Sequence, residues 1–426
     1  MKSPATALLL ALLPAGAARQ TAAPPATPPT IQVATDALLI PVIVRDAQGH
    51  VVADLTQSSF HVFDNGKEQP LTGFTIVQSA TTPQAQSTGA APAAPTTPSP
   101  SPAPSPYRFT ILLFDDRHLS SADLEHAKTA ALALFDRPLD PSDRVVVLSF
   151  RGVNSGVAND PAVLKAAIAK LKSKDHTQAT EQDCPRISYY EADQILNQHS
   201  QQAFSVAFAD MDSCGSLQRG TGSDPGWQTA QQRLVEAAAT RSLQIGDADS
   251  RETLGFIRDV IGSMSKLPGD RTLVLISPGF FTSNTDAMDI NSQIFTLANS
   301  FHVTISTLNI RGISGSTYQA STHGSFAAAA TGQDLQMSHE SDRANQATLT
   351  DFADGTGGVY FHNDNDLAGG LRTLAAKPAC QYILQISLKD VKKNGAFHKL
   401  QIKLDPKPDP ALTLQARRGY YAPVKK

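Results

Sequence analysis

The sequence predicts an α/β chain in which a doubly wound, mostly parallel, Rossmann-like sheet is inserted into a β-sandwich built from the N- and C-terminal segments. Three observations predict it. Between Tyr107 and Leu374, apolar runs of strand length alternate with helix-forming segments, the pattern of a sheet covered by helices on both faces. Short strands lie before and after this region, four in front and three behind, and each set is too small to bury a core alone. One apolar run, Arg108–Phe114, ends abruptly in Asp115 and Asp116, and an open α/β sheet places its site at that end of its strands.

The 426 residues allow two or three domains, and 41% hydrophobic with 18% charged residues describes a mostly globular chain. A net charge of −3 and the absence of a basic stripe argue against nucleic-acid binding, which needs clustered positive charge to release counterions. Residues 1–18 read as a secretory signal: Lys2, an apolar stretch from Ala5 to Leu13, then a small-residue end at Ala17 or Ala18. No later run has the ~18–20 apolar residues of a membrane span. The mature chain is therefore expected to be exported, to the periplasm or outside the cell. Residues 19–30 are Ala/Pro/Thr-rich and expected to be disordered, and residues 79–106 form a Pro/Ala/Ser/Thr-rich linker.

Within residues 31–78, Leu38–Arg45 reads as a strand whose Pro41 suits an edge or a bulge. Val51-Val52, Phe60–Phe63 and Phe74–Val77 follow, with a hairpin signal at Asn65-Gly66. Residues 107–378 carry the alternating pattern. After Arg108–Phe114 comes a helix from Ser120 to Phe135, then the strand Arg144–Phe150 and a helix from Pro161 to Leu171, with Pro at its first turn. Helix Glu252–Leu267, strand Arg271–Ser277, helix Asp289–Ser300, strand His302–Leu308, helix Gln346–Phe352, strand Gly358–Phe361 and helix Asp366–Leu374 complete it. An insertion at about 175–250 interrupts this region, with a helix from Gln231 to about Gln244. Residues 379–424 return to period two: Tyr382–Leu388, a hairpin turn at Asn394-Gly395, His398–Leu404, Leu412–Arg417 and Gly419–Ala422.

Three cysteines are present. Export permits a disulfide, and Cys184 and Cys214 bracket the inserted segment, so they are the expected pair. Closing that loop contributes about 3 kcal/mol in the chain-entropy model. Cys380 is left over as a buried thiol. No cysteine or histidine spacing suits zinc.

Taken together, Val42–Gly49 with Phe60–Gly66, Phe114–Ser120, Cys184–Tyr189 with Cys214, Leu267–Gly279, Gly355–Asp366 and Arg417–Tyr421 resemble the von Willebrand factor A (VWA)-related domain family of Acidobacteria, over about residues 31–424. The resemblance implies a VWA-like fold, whose relatives at large are binding modules in adhesion and assembly, some using a divalent ion to hold a partner's acid. Their first strand ends in D-x-S-x-S. From Asp116 this chain matches the first acid and, at Ser120, the last serine, while His118 replaces the middle serine. Asp116 and Ser120 are thus the metal-ligand candidates, for Mg²⁺ or Ca²⁺. Histidine is a poor ligand for a hard cation, and the third loop, Ser277-Pro278-Gly279, lacks the expected acid. Thr177 and Thr180 are the second-loop candidates. Asp116 capping the following helix or pairing with Arg117 is the alternative.

Other motifs have plainer readings. Gly355–Gly358 reads as a helix C-cap rather than a phosphate cradle, because no Gly-Lys-Ser/Thr follows. His362–Asp366 reads as a turn with a helix cap at Asp364 or Asp366, since it lacks the glycine and distal Glu of a calcium loop. Tyr189, Tyr190 and Trp227 form either a binding hot spot or packing against the sheet edge.

The sequence therefore predicts an exported VWA-like protein-binding module, not an enzyme, with no cofactor and a degenerate metal motif. Its binding loop is Asp115, Asp116, His118, Ser120 and Ser277, and its partner is a protein or peptide of the envelope or exterior. Asp116, His118 and Ser120 are expected to face the turn at Ser277. The competing readings are a metal-dependent adhesin, a structural envelope scaffold, and a hydrolase using the acidic loop, which lacks an assignable nucleophile.

Overall fold

Four strands open the described chain: β1 (Ala37–Arg45), β2 (Phe60–Asp64), β3 (Lys67–Gln69) and β4 (Leu71–Gln78). The computed structural model describes residues 37–47, 50–78, 107–173, 184–213, 225–312, 332–376, 380–392, 394, 396–405 and 412–422. The readings made on residues 1–36 and 79–106, and on Thr177, Thr180, Cys214 and Gly395, lie outside them. Asn65 and Gly66 both take positive φ, 48° and 83°, so the turn between β2 and β3 has the twist that a two-residue hairpin needs.

The alternating region gives β5 (Arg108–Phe114), α1 (Ser121–Leu134), β6 (Asp143–Ser149), α2 (Pro161–Ala169), α3 (Tyr189–Leu196), α4 (Gln201–Ser213) and α5 (Pro225–Met264). It continues through β7 (Asp270–Ser277), α6 (Thr285–Ser300), β8 (Val303–Asn309), α7 (Gln333–Thr356), β9 (Tyr360–Phe361) and α8 (Leu367–Ala375). Its five strands are parallel in the order β6-β5-β7-β8-β9, and residues around Asn154 and Ala158 bridge antiparallel to the outer side of β6. Alternate side chains of each strand enter opposite cores. Leu112, Phe114, Val147, Val274 and Ile276 pack with α1, α2 and α8 on one face. Ile111, Leu113, Leu273, Leu275 and Ile305 pack with α5, α6 and α7 on the other. Burial on both faces is why these strands read as unbroken apolar runs. Chain order reverses at β5, so the crevice at its C-terminal end, beside β7, is a topological switch point.

Two helices differ from expectation. The separate helices at Gln231–Gln244 and Glu252–Leu267 are one 40-residue helix, α5. Its Gly246 costs about 1 kcal/mol against alanine in a helix interior, but a Cβ there would lie 2.2 Å from the Tyr189 ring, and that packing carries the helix through. Likewise α7 extends well beyond Gln346–Phe352, and it ends at Gly357 in the left-handed region, φ 78°, the expected C-cap. The insertion has its own small core, in which Ile187, just before α3, and Ala192, Ile195, Ala203, Ala207, Val235 and Ala239 of α3, α4 and α5 meet Met337 of α7.

The last segment forms β10 (Cys380–Ser387), β11 (Phe397–Leu404), β12 (Thr413–Ala416) and β13 (Gly419–Tyr421). These interleave with the first four strands as two antiparallel sheets, β12-β1-β10-β4 and β13-β11-β2-β3, around one core that includes Ile40, Val42, Phe60, Val62, Tyr382, Leu384, Leu400 and Tyr420. The described strands number eight rather than seven. Val51-Val52 makes only an isolated bridge to Arg45 and Lys67–Gln69 stands as a strand in its place, while Thr413–Ala416 and Gly419–Tyr421 are separate strands in different sheets. The expected hairpin at Asn394-Gly395 does not join neighbours, since β10 and β11 lie in different sheets. Pro41 sits in an inner strand, one residue beyond the stretch Val42–Arg45 that pairs with β12, where a missing N–H leaves no gap in that ladder.

The fully buried Arg417 ties the sandwich to the parallel sheet's helices. It donates to Asn299 Oδ1 of α6 at 3.1 Å and to the Leu39 carbonyl of β1, and burial lowers its pKa to about 10. Next to it, Arg418 pairs with Asp354 of α7 at 2.8 Å.

Cys380 is a free, buried thiol, which leaves the expected Cys184–Cys214 pairing without competition from it. Mass spectrometry of an unreduced digest should recover the peptides holding Cys184 and Cys214 linked; recovery of Cys380 in either linkage would reject the pairing.

Candidate functional site

The β5 ladder runs one residue past the strand, because the Asp115 N–H donates to the Ile276 carbonyl at 2.9 Å. Asp115 therefore keeps the strand's alternation and its carboxylate, wholly buried, faces β7. There Oδ2 accepts from Ser277 Oγ at 2.6 Å, bridging the switch point. Ser277 in turn accepts from the Gly279 N–H at 3.0 Å. Gly279 has φ +93°, and a Cβ would stand 2.5 Å from the Asn345 carbonyl oxygen, so the Ser277-Pro278-Gly279 turn can lie on α7 only with glycine there.

His118 returns over Asp115. Its Nδ1 is 2.8 Å from Asp115 Oδ1, and its Nε2 is 2.6 Å from Asp249 Oδ2. The ring stacks on Phe280 at 5.7 Å between centroids. Burial alone would lower its pKa, but the carboxylates of Asp115 and Asp249 outweigh it and raise the value to about 10. At neutral pH the ring is therefore an imidazolium that donates from both nitrogens. Asp249 also accepts from Arg117 at 2.7 Å. Burial would raise its pKa, but His118 and Arg117 prevail and hold it below the usual carboxylate range. Arg117 reaches Glu252 as well, at 2.8 Å, closing a chain of alternating charge over the strand ends.

Asp116, the next residue, turns the other way. Its Oδ1 accepts from the Arg151 N–H beyond β6 at 3.1 Å, while Oδ2 is buried without a partner among the described residues. Burial raises its pKa. Asp116 therefore neither caps the following helix nor pairs with Arg117. The cap is Ser120, whose Oγ accepts from the Asp123 N–H at 3.1 Å, at an exposed position. The expected convergence on Ser277 is thus corrected: Asp115 and His118 meet over that turn, Asp116 faces the end of β6, and Ser120 serves the helix.

A second junction holds α5 down. Tyr189 Oη donates to Asp247 Oδ1 at 2.6 Å, which also accepts from Asn284 Nδ2 at 2.9 Å. Tyr189 and Tyr190 pack edge-on against Phe281, with centroids 5.2 and 5.4 Å away, so both tyrosines serve packing. The Trp227 side chain lies outside the described residues.

The acids of α5 were missed from sequence. Asp249 and Glu252 stand three apart and share one face only if the helix begins before Asp249 rather than at Glu252, and α5 does, running from Pro225 to Met264. The turn reading of His362–Asp366 is met: Asp366 caps α8, with Oδ1 accepting from Gly369 N–H at 2.8 Å.

The chemistry open to this arrangement is narrow. Both His118 nitrogens are engaged by carboxylates, so no ring lone pair is left to take a proton, and Ser277 donates to the Asp115 carboxylate rather than to an imidazole. The metal candidates do not converge either. Ser120 is committed to its cap and Asp116 has turned toward β6, a poor fit to a hard cation that needs several oxygens together. Among the described residues, no group of three or more His, Cys, Asp and Glu side chains is arranged to hold a metal ion. No helix among them is long and apolar enough to cross a membrane. No protein-family model matches the chain, and no curated protein matches it.

Proposed function

We propose that this chain is an exported, VWA-like module that binds a protein or peptide without a metal ion and without catalysis. The observation that carries the reading is the position of His118. Its imidazolium lies at the switch point between Asp115 and Asp249, so an internal cation neutralises the acids where a VWA site would use a divalent ion. A fixed organic cation needs no supply of metal and cannot be removed by chelation. The insertion supports the same reading, because α5 covers the strand ends and leaves Arg151 and Glu252 exposed at the rim for contact with a partner.

Titration calorimetry with Mg²⁺ and Mn²⁺ should give no micromolar binding, and a partner captured from the native envelope should stay bound in chelator. Micromolar affinity abolished by Asp116→Ala, with chelator-sensitive capture, would restore a metal-dependent adhesin. Turnover on ester, phosphate or peptide panels, lost in Asp115→Asn, would instead establish the hydrolase.

A further inference from the structure

Among the described residues the sandwich has four sheet edges, and these are not equally protected. Two edge strands, β3 and β13, have three residues each, and β3 carries Lys67 and Glu68. β12 has four and is held against the parallel sheet's helices, Gln415 Nε2 donating to the Gly357 carbonyl at 3.1 Å. β4 differs: eight residues, Leu71-Thr-Gly-Phe-Thr-Ile-Val-Gln78, with no charge and no proline. Only β10 pairs with it among the described residues. Ile76 and Val77 are 40% and 42% exposed on its two faces. Natural edges are normally shortened, charged or covered, because a bare row of N–H and C=O groups templates another strand. Alternating donors and acceptors at strand spacing fit an extended polypeptide backbone.

We propose that β4 pairs antiparallel with β4 of a second copy of this chain, across a two-fold axis, joining two four-stranded sheets into one of eight. The strand is self-complementary in one register. The pairing with β10 is irregular where Gln385 opposes Gly73 and Ile386 opposes Leu71, so the regular edge begins at Gly73. Centring the axis on Thr75 sets Thr75 against its own copy, Phe74 against Ile76 and Gly73 against Val77. Thr–Thr and aromatic–β-branched pairs are among the favourable cross-strand combinations, and no like charges oppose. Phe74 and Ile76 lie on the core side, where Phe74 stacks on Tyr382 at 5.9 Å. The partner's Ile76 would extend that aromatic row and cover apolar surface otherwise left at the edge. The contact is isologous and closes on itself, so it ends at a dimer.

Sedimentation equilibrium of the full mature chain should show a dimer. Thr75 is exposed and on the face away from the core, so Thr75→Lys and Thr75→Glu leave the fold intact, as circular dichroism will verify. Each variant alone should raise the dissociation constant about tenfold or more, because like charges then stand opposite on the axis. Mixing the two in equal amounts should restore the dimer. A monomeric wild type at tens of micromolar, a dimer indifferent to both substitutions, or no recovery on mixing would each overturn the proposal. Val77→Lys, at the outer pair of the same register, should weaken the dimer as well; an unchanged dimer in that variant would count equally against it.

Discussion

Replacing His118 by alanine should destabilise the chain by about 3–5 kcal/mol, the range found when one partner of a buried ion pair is removed. The loss comes from Asp115, wholly buried, and Asp249, which would face each other without the cation that now separates them. The pH dependence identifies the cause. The folded-state pKa of His118 is about 10 against an ordinary 6.5, so its contribution is complete below the ordinary value and disappears as pH rises through the folded one. Wild-type stability, read as the urea midpoint, should therefore decline across the alkaline range, and His118→Ala should flatten that decline. Adding Asp115→Asn and Asp249→Asn to the alanine variant should recover part of the loss, since coupled sites are not additive. A His118→Ala cost within about 0.5 kcal/mol, typical of surface substitutions, would show that the imidazolium does not hold the switch point.

Ser277→Asp has a comparably large expected effect, and its sign separates two readings of the site. Restoring an acid to the third loop would raise metal affinity if the other ligands were in place. In this geometry Ser277 Oγ is the 2.6 Å donor to a buried carboxylate, and the substitution sets two acids together where neither meets water. One must take up a proton, and destabilisation of several kcal/mol is expected at neutral pH, relieved as the pH falls. Millimolar Mg²⁺ should leave the thermal midpoint of Ser277→Asp unchanged. A midpoint restored by Mg²⁺ would mean that the loops do assemble around a divalent ion, and the metal-free reading would fail.

The layered architecture was legible because burial on both faces forces long apolar runs and surface helices force caps. Arg108–Phe114 and a cap at Asp364 or Asp366 before α8 were visible on those grounds, whereas Ser120, read as a metal-ligand candidate with Asp116 as the possible cap, is itself the α1 cap. What escaped notice depends on contacts distant in sequence. Gly246 reads as a helix end until Tyr189 is laid against it, and with the end misplaced Asp249 has no reason to face His118. The two adjacent acids posed a different difficulty. Strand alternation sends Asp115 and Asp116 to opposite sides, but the resemblance was anchored on Asp116, and only the ladder bond to Ile276 shows that Asp115 is the one facing β7. The β10–β11 connection is not legible locally, because Asn-Gly signals a turn without naming the sheet that follows it, and the two strands lie in different sheets.

The interleaving of first and last strands fixes the order in which this chain can assemble. Tyr382 of β10 bonds to the Val52 carbonyl across 330 positions, and Tyr420 to Asp64 across 356. During synthesis the parallel sheet can gather from a contiguous stretch, whereas β1, β2 and β4 have no neighbours to complete their sheets until β10 to β13 emerge. Loop closure over such distances is slow, and unpaired apolar strands are then the most aggregation-prone part of the molecule. A folded α/β insert shortens that search, because Arg108 Nη1 donates to the Ala375 carbonyl at 2.7 Å and holds the two ends of the insert together. The insert thus acts as a folded clasp that delivers the late strands to the early ones.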